Sequence, residues 1–341
     1  MIDFKYHMVS LVAVFLALAV GIVLGAGPLR GQLSDALEKQ VTEIGDERNV
    51  LRARVDLAQQ RADDKDTLLS TLLPGAVEGT LTDRRVTLVE MPGADDAVAD
   101  ALAGALSTSG AQVVARTTIE RSWLNAEAAD DRQAAAAELL PAFTGLDIAI
   151  EATPEALLAA VLAGPKELDD VMAWSQADER LSDLDGIDTQ RPNDGVTAVP
   201  SAPAAVAPEV VVVISGGIDA QSLATDSTAT AELGDRVAIV AALAEQDVPT
   251  VVIAGGTESY ADPQTVAEDP LVAAVRSSSD LTDAVSSVDN IESPAGLIAA
   301  TWATALAIDG DQGHYGVASD AQSPAPPVPP QREPAAEPPT P

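Results

Sequence analysis

The chain has 341 residues and a formal net charge of −34, from 53 acidic side chains against 19 lysines and arginines. Such a surface repels nucleic-acid phosphates, so we exclude nucleic-acid binding. Cysteine is absent, which excludes disulfides, zinc ribbons and thiol chemistry.

The first 28 residues predict a membrane-spanning helix. Residues 8–26 are apolar apart from Ser10 and the glycines, and about 20 such residues cross a bilayer core as a helix. A cleaved signal peptide is the alternative, which the length of the run and the proline at position 28 disfavour. Lys5 and the α-amino group favour a cytoplasmic N-terminus. We therefore expect a single-pass protein of the cell membrane, with most of the chain outside the cytoplasm.

Gly21 and Gly25 form a GxxxG motif within this span. Small residues at this spacing let two helices approach closely in lipid, so the motif predicts helix packing between two copies. The alternative is the ordinary glycine content of membrane helices.

Residues 29–73 form a charged segment with a heptad pattern, which indicates a coiled-coil rod. The apolar seam of the rod is predicted at Leu37, Val41, Ile44, Leu51 and Val55. At 1.5 Å per residue the rod would extend roughly 65–70 Å, and Pro74-Gly75 is expected to end it. A single helix folded back on its own domain is the alternative. We favour a parallel homodimer, because a membrane anchor already aligns two copies.

Residues 84–317 alternate short β-rich runs with alanine-rich helical stretches. This order predicts an α/β fold, a Rossmann-like domain with a mostly parallel sheet outside the membrane. Strands are predicted at 85–90, 112–116, 209–215 and 249–254, and helices at 95–109, 130–140, 154–163, 166–184, 230–246 and 293–308.

Two segments are predicted to lie outside this fold. Residues 185–208 are rich in proline, alanine, glycine and aspartate, which is typical of a long loop between two halves. Residues 318–341 form a proline-rich tail, with nine prolines from Pro324 onward, and this composition predicts an extended or disordered segment.

Glycine pairs follow two apolar strands, at Gly216-Gly217 and at Gly255-Gly256. Glycines at the carboxyl ends of strands can admit a phosphate, but neither pair completes a nucleotide-binding fingerprint. We interpret them as tight strand-to-helix turns. Acidic pairs are numerous and indicate solvated surface, and no pattern indicates a catalytic site.

Ligands for a soft metal are few. The chain contains two histidines and four methionines, without a repeated ligand spacing. His7 and Met8 lie together at the membrane border, and His314 lies in a glycine-rich loop before the tail. These three residues are the candidate metal ligands, because imidazole and thioether are the groups that bind soft metals in the absence of thiolate.

The opening residues MIDFKYHMVSLVAVFLALAVGIVLGAGPL closely resemble the start of the actinobacterial copper transport outer membrane protein family. Residues 86–95 resemble its first strand and turn, and residues 287–290, 293–296 and 313–317 resemble its closing segment. The resemblance implies an envelope protein connected with copper homeostasis, with copper as the implied ligand.

Two functions of different class follow from these observations. The resemblance implies a component of copper homeostasis or efflux. The span, the rod and the absence of a catalytic pattern favour instead a scaffold or regulator that presents a coiled-coil surface to another envelope protein, such as a cell-wall remodelling system.

Overall fold

A computed structural model of the chain describes residues 4–26, 28–124, 129–143, 152–166, 170–184, 186–191, 207–218, 220–255 and 269–332. The chain divides into two compact units, Met1–Lys65 and Asp66–Pro341. The described residues confirm the predicted α/β class: an apolar N-terminal helix and a long second helix precede a mostly parallel sheet with its helices.

The first helix, α1, spans Phe4–Ala26. Its segment Lys5–Leu24 has a mean hydropathy of 2.6 and none of its residues is buried, so by length and composition it can cross a membrane. A signal sequence near the N-terminus would meet the same criterion.

The second helix, α2, spans Pro28–Val77 and therefore continues past the predicted end at Pro74-Gly75. Proline in the last turn removes only one helical hydrogen bond, so the helix can continue through it at that point. The indole of Trp302 donates a hydrogen bond to the carbonyl oxygen of Ala76 at 2.9 Å, which gives a partner to one of the last carbonyls of the helix.

The elements of the α/β domain follow the order predicted for it. They are β1 (Arg85–Glu90), α3 (Asp96–Thr108), β2 (Gln112–Ile119), α4 (Ala129–Leu139), α5 (Pro154–Ala163), α6 (Asp170–Asp183), β3 (Ile187–Gln190), β4 (Val210–Ile214), α7 (Ala220–Thr225), α8 (Ser227–Ala244), β5 (Thr250–Ile253), α9 (Pro270–Ser277), β6 (Val285–Val288), α10 (Pro294–Ile308) and β7 (His314–Tyr315).

The seven strands form one sheet in the order β3-β2-β1-β4-β5-β6-β7. All neighbouring pairs are parallel except β2 with β3. From β1 the chain moves to β2 on one side, whereas from β4 it moves to β5 on the other. The order therefore reverses between β1 and β4, and this is the topological switch point of the sheet.

Helices cover both faces of the sheet. One core lies between the sheet and α4, α5, α6, α8 and α9. The other core lies between the sheet and α3 and α10. The central strand β4 is buried along its whole length, which explains its continuous run of valine and isoleucine.

The last crossover has the opposite hand to its neighbours. The connections β4-α8-β5 and β5-α9-β6 step across the sheet in one direction, over the face that carries α8 and α9. The connection β6-α10-β7 steps in the same direction but passes over the other face. Crossovers of one sheet almost always share one hand, so β7 needs a specific explanation, which its side-chain contacts supply.

The structure differs from the sequence prediction at several short elements. The expected loop 185–208 contains the edge strand β3, while residues 192–206 lie outside the described part. Strands β6 and β7 and helices α7 and α9 were not predicted. Strand β6 has only two apolar residues, Val285 and Val288, and β7 has two residues in all, so neither shows a strand period.

The beginning of the proline-rich tail belongs to the fold. The backbone N–H of Arg332 donates to the carbonyl oxygen of Gly79 at 2.7 Å, and its guanidinium pairs with Asp309 at 2.7 Å. Pro326 and Pro329 are buried. Residues 318–332 are thus held on the α/β domain rather than extended away from it, and residues 333–341 lie outside the described part.

We predict that Gly216→Ala destabilises the protein by about 1–3 kcal/mol, because a Cβ there would overlap the carbonyl oxygen of Pro92. Gly234→Ala in α8 is the matched control, since nothing lies within 4 Å of its added methyl group, and we expect a gain of about 0.5–1 kcal/mol. Urea unfolding of the full chain in detergent measures both changes. Equal effects of the two substitutions would contradict the close approach at Gly216.

Candidate functional site

The candidate metal ligands lie in two elements, His7 and Met8 in α1 and His314 in β7. His7 and Met8 are exposed neighbours in α1, and Met8 is 58% accessible. Among the described residues, histidine, aspartate and glutamate form no group of three that could hold a metal ion. A copper site within a single copy therefore has no support in the described part of the chain.

His314 is buried in β7, and both of its ring nitrogens are in hydrogen bonds. The carbonyl oxygen of Thr282 lies 2.9 Å from Nε2, so this nitrogen carries the proton. Nδ1 then accepts from the hydroxyl of Ser287 on the neighbouring strand β6, at 2.9 Å. Neither nitrogen is available to a metal ion in this arrangement, and the prediction of His314 as a ligand is not supported.

Arg276 in α9 completes this network. Its Nε donates to the hydroxyl oxygen of Ser287, and its Nη2 donates to the backbone carbonyl of Tyr315 at 2.8 Å. Its Nη1 pairs with Asp289 at 2.9 Å and with Asp320 at 2.6 Å. One side chain, only 3% exposed, thus ties β6, β7 and the start of the tail together. These contacts explain how a two-residue strand is held beside β6.

Burial lowers the pKa of His314, and the nearby positive charge of Arg276 lowers it further. The hydrogen bond to Thr282 and the carboxylates of Asp320 and Asp283 act in the opposite direction but do not compensate. The imidazole therefore stays neutral at a pH at which an exposed histidine would be charged.

The three closing motifs of the sequence meet around the carboxyl end of β6. Asp289 accepts hydrogen bonds from the backbone N–H groups of Val317 and Ala318. A Cβ at Gly316 would overlap the Asp289 carboxylate, and the φ of Gly316 is +136°. The hydroxyl of Ser293 caps α10 by accepting from the N–H of Gly296 at 3.0 Å. These residues hold one another in place at the end of the fold. Their contacts explain why glycine stands at positions 296 and 316, and no bound ligand is needed to explain it.

The glycine pairs after β4 and β5 also make close approaches. Gly216 lies against Pro92 in the turn after β1, and a Cβ at Gly255 would overlap the carboxylate of Glu292. Gly217 has a φ of +59°. These contacts support the interpretation of the pairs as tight turns, with Gly256 outside the described residues.

A buried polar cluster lies at the switch point, and the sequence analysis did not identify it. The hydroxyl of Ser215, directly after β4, donates to the carboxylate of Asp269 at 2.9 Å. Asp269 also caps α9 by accepting from the N–H groups of Leu271 and Val272. Burial raises the pKa of Asp269. These hydrogen bonds and the positive charge of Arg236 act in the opposite direction but do not compensate.

Arg236 is the third member of this cluster and is 0% exposed. Its Nη2 donates to the carbonyl oxygen of Pro92 at 2.8 Å and to the carboxylate of Glu232. The only sequence signal was an arginine on the apolar stripe of α8, three and four residues before the buried Ile239 and Val240.

Gly21 and four residues of the predicted seam lie on exposed surface. Val41, Ile44, Leu51 and Val55 of the seam are between 52% and 69% accessible. Nothing lies within 4 Å of a Cβ built on Gly21. The surroundings of Gly25 and Leu37 lie outside the described part, although both residues are helical.

We predict that stability falls as the pH is lowered from 7 towards 5, in part because of His314. The unfolded chain binds a proton near the ordinary pKa of about 6.5, whereas the folded chain resists it, so the unfolded state gains up to about 1.4 kcal/mol per pH unit below that pKa. Above pH 7 the imidazole is neutral in both states and contributes no slope.

His314→Gln should reduce this pH slope, since the glutamine amide can still donate to Thr282 but does not titrate. His7→Gln is the control, because His7 is exposed and should leave the slope unchanged. Urea unfolding of the full chain in detergent at several pH values measures the slopes. The assignment to His314 fails if both variants keep the slope of the parent chain.

Comparison with known proteins identifies relatives over almost the whole chain. A family model described as "Copper transport outer membrane protein, MctB" matches residues 1–326. The proteins named "Copper transporter MctB" from Mycobacterium bovis and from two strains of Mycobacterium tuberculosis are each 28% identical over 340 residues. The alignments cover 95% of this chain and 98% of each relative. The family is named for transport and not for an enzymatic reaction. This chain therefore belongs to the MctB copper transport outer membrane protein family.

Proposed function

We propose that the protein is a membrane-anchored, non-enzymatic component of copper homeostasis in the cell envelope, which lowers the copper content of the cell. The observation that carries this proposal is the family match, which extends from the apolar helix through the α/β domain to residue 326. The helix α1 serves as the anchor, with a cytoplasmic N-terminus and the α/β domain on the other side of the membrane.

Copper would be handled between copies rather than inside one. His7 and Gly25 are 18 residues apart in α1, which is five turns at 3.6 residues per turn, so they share one face of the helix. Gly21 lies about 40° from that face. Two copies side by side in the membrane would place two His7-Met8 pairs at the same membrane border. Imidazole and thioether are ligands that copper accepts.

Deletion of the gene should raise the copper content of the cells and lower their tolerance of added copper. The full chain should restore both, whereas the double variant His7→Gln, Met8→Leu should not, because it removes the only soft ligands in α1. Met172→Leu is the matched control, since Met172 is also exposed (58%) but lies in α6. Mass spectrometry of cell-associated copper, with zinc and iron measured in parallel, gives the result.

Unchanged copper content and tolerance after deletion would contradict the proposed role. Restoration by the double variant would contradict only the ligand assignment, so the two parts of the proposal are tested separately. Immunoblotting of the membrane fraction confirms that each variant is present in equal amount.

A second function, that of a scaffold, is favoured by the exposed seam of α2. Four apolar side chains at heptad spacing, each at least half accessible, are expected to be covered by another helix. A second copy of the chain is the partner that fits best, because both copies carry the same seam and a shared membrane would hold them parallel. The paired helices would then present their charged outer faces to another envelope protein.

Single cysteines test the seam cleanly, because the chain has no cysteine of its own. Val41→Cys and Val55→Cys occupy the a position and should form disulfide-linked dimers under mild oxidation, since equivalent a positions of a parallel pair face each other. Ala53→Cys is the matched control, exposed on the opposite side of the helix. Equal cross-linking at the three positions, or none, would contradict a parallel pair.

The scaffold itself is tested in cells with a photo-reactive residue at the outward position of Ala53. A scaffold should yield one specific envelope protein, identified by mass spectrometry of the cross-linked band. Recovery of the self-dimer alone would contradict the scaffold function while leaving the dimer intact.

A further inference from the structure

The guanidinium of Arg236 keeps unpaired donors inside the protein. Its Nη2 is bonded to Pro92 and Glu232, but its Nε and Nη1 have no hydrogen-bond partner in the structure and are closed to solvent. These two nitrogens carry three N–H groups in a planar arrangement. Buried donors of a charged group are unfavourable unless an acceptor meets them, so this arrangement calls for an acceptor of matching geometry.

The position of the Arg236 guanidinium at the edge of the sheet favours a ligand as that acceptor. Pro92 follows β1, and the charge of Arg236 acts on Asp269, which is hydrogen-bonded to Ser215 at the end of β4. The guanidinium therefore lies at the carboxyl edge of the sheet between β1 and β4. In open parallel sheets this switch point is where ligands are bound, because the connections diverge there.

The surrounding charges select the class of ligand. Glu232 forms ion pairs with Arg236 and, at 3.5 Å, with Arg121, and the positive charge of Arg236 also acts on the carboxyl group of Asp269. This near balance of charge disfavours a phosphate dianion. A planar monoanion with two oxygens matches the geometry of a guanidinium without adding much negative charge.

We propose that the switch point between β1 and β4 is a binding site for a small organic carboxylate, held by the free N–H groups of Arg236. The bonded pair of Ser215 and Asp269 lies at the same carboxyl edge of the sheet, and the charge of Arg236 acts on Asp269. This proposal does not depend on the proposed functions in copper homeostasis or as a scaffold, and it is tested independently of them.

The direct test uses the unmodified full chain in detergent, labelled with nitrogen-15 at arginine. Titration with sodium acetate should shift the Nε–H resonance of Arg236 saturably, and sodium chloride at equal ionic strength should not. The resonance is assigned by its disappearance in Arg236→Lys. Acetate should also raise the unfolding midpoint of the parent chain, since it binds only the folded state.

Arg236→Lys keeps the charge but loses the planar fork, so it should need at least tenfold more acetate for the same rise in midpoint. Arg121→Lys is the matched control, because Arg121 also contacts Glu232 but its side chain is 74% exposed, and it should respond as the parent does. If Arg236→Lys fails to fold, the rise in the unfolding midpoint of the parent chain with acetate, compared with chloride at equal ionic strength, still decides.

Three results would overturn the proposal. The first is an Nε–H resonance of Arg236 that acetate does not move and that shows contact with a long-lived water, which would mean an internal water only. The second is an equal response to acetate and chloride. The third is tighter binding of phosphate than of acetate, which would reject the carboxylate class.

Discussion

The pairing of a few arginines with carboxylates at the carboxyl edge of the sheet is the interaction on which the rest of the domain depends. The chain has 19 basic side chains for 53 acidic ones, and Arg116 and Arg276 each pair with two carboxylates. Arg116 in β2 bonds to Glu90 at the end of β1 and to Asp100 in α3. Arg236 bonds to Pro92 in the turn after β1 and pairs with Glu232, and Arg276 pairs with Asp289 and Asp320 beyond the end of β6. Breaking a buried pair by removing one partner costs about 3–5 kcal/mol, so these contacts outweigh ordinary surface pairs.

Arg276 has the largest structural consequence of the three. The crossover through α10 has the opposite hand to its neighbours and ends in a strand of two residues. Backbone pairing with β6 is too short to hold such a strand. The guanidinium supplies bonds to the hydroxyl of Ser287, the carbonyl of Tyr315 and two carboxylates, which hold the closing segment against β6. The histidine that looked like a metal ligand is part of this closure.

The long apolar elements could be predicted from the sequence, because an apolar composition by itself indicates that a segment is buried. Strands β1, β4 and β5 and helices α3, α5 and α10 lie where continuous or periodic apolar runs indicated them. The strand β6 escaped prediction because its two central serines, Ser286 and Ser287, are buried by hydrogen bonding rather than by hydrophobicity. The edge strand β3 escaped because half of its residues are exposed and its pairing partner is about 70 residues away.

The polar clusters could be predicted only in part, for a related reason. The sequence indicated His314 as unusual, but Ser287, Thr282 and Arg276 come from other elements, and only the fold brings them within hydrogen-bond distance. The switch-point cluster joins Pro92, Arg236 and Asp269, whose separation along the chain gives no local pattern.

The resemblance of specific motifs indicated the family. The sequence by itself also determined the apolar N-terminal helix, the long second helix and the α/β class. These are properties of local composition and period, which need no knowledge of neighbours. The tertiary structure alone decided the strand order, the hand of the last crossover, the structural role of His314 and the unpaired donors of Arg236. Each of these depends on which distant backbone and side-chain groups become neighbours once the sheet has formed. The hydrogen bonds and the pKa of a buried polar group are set by those neighbours.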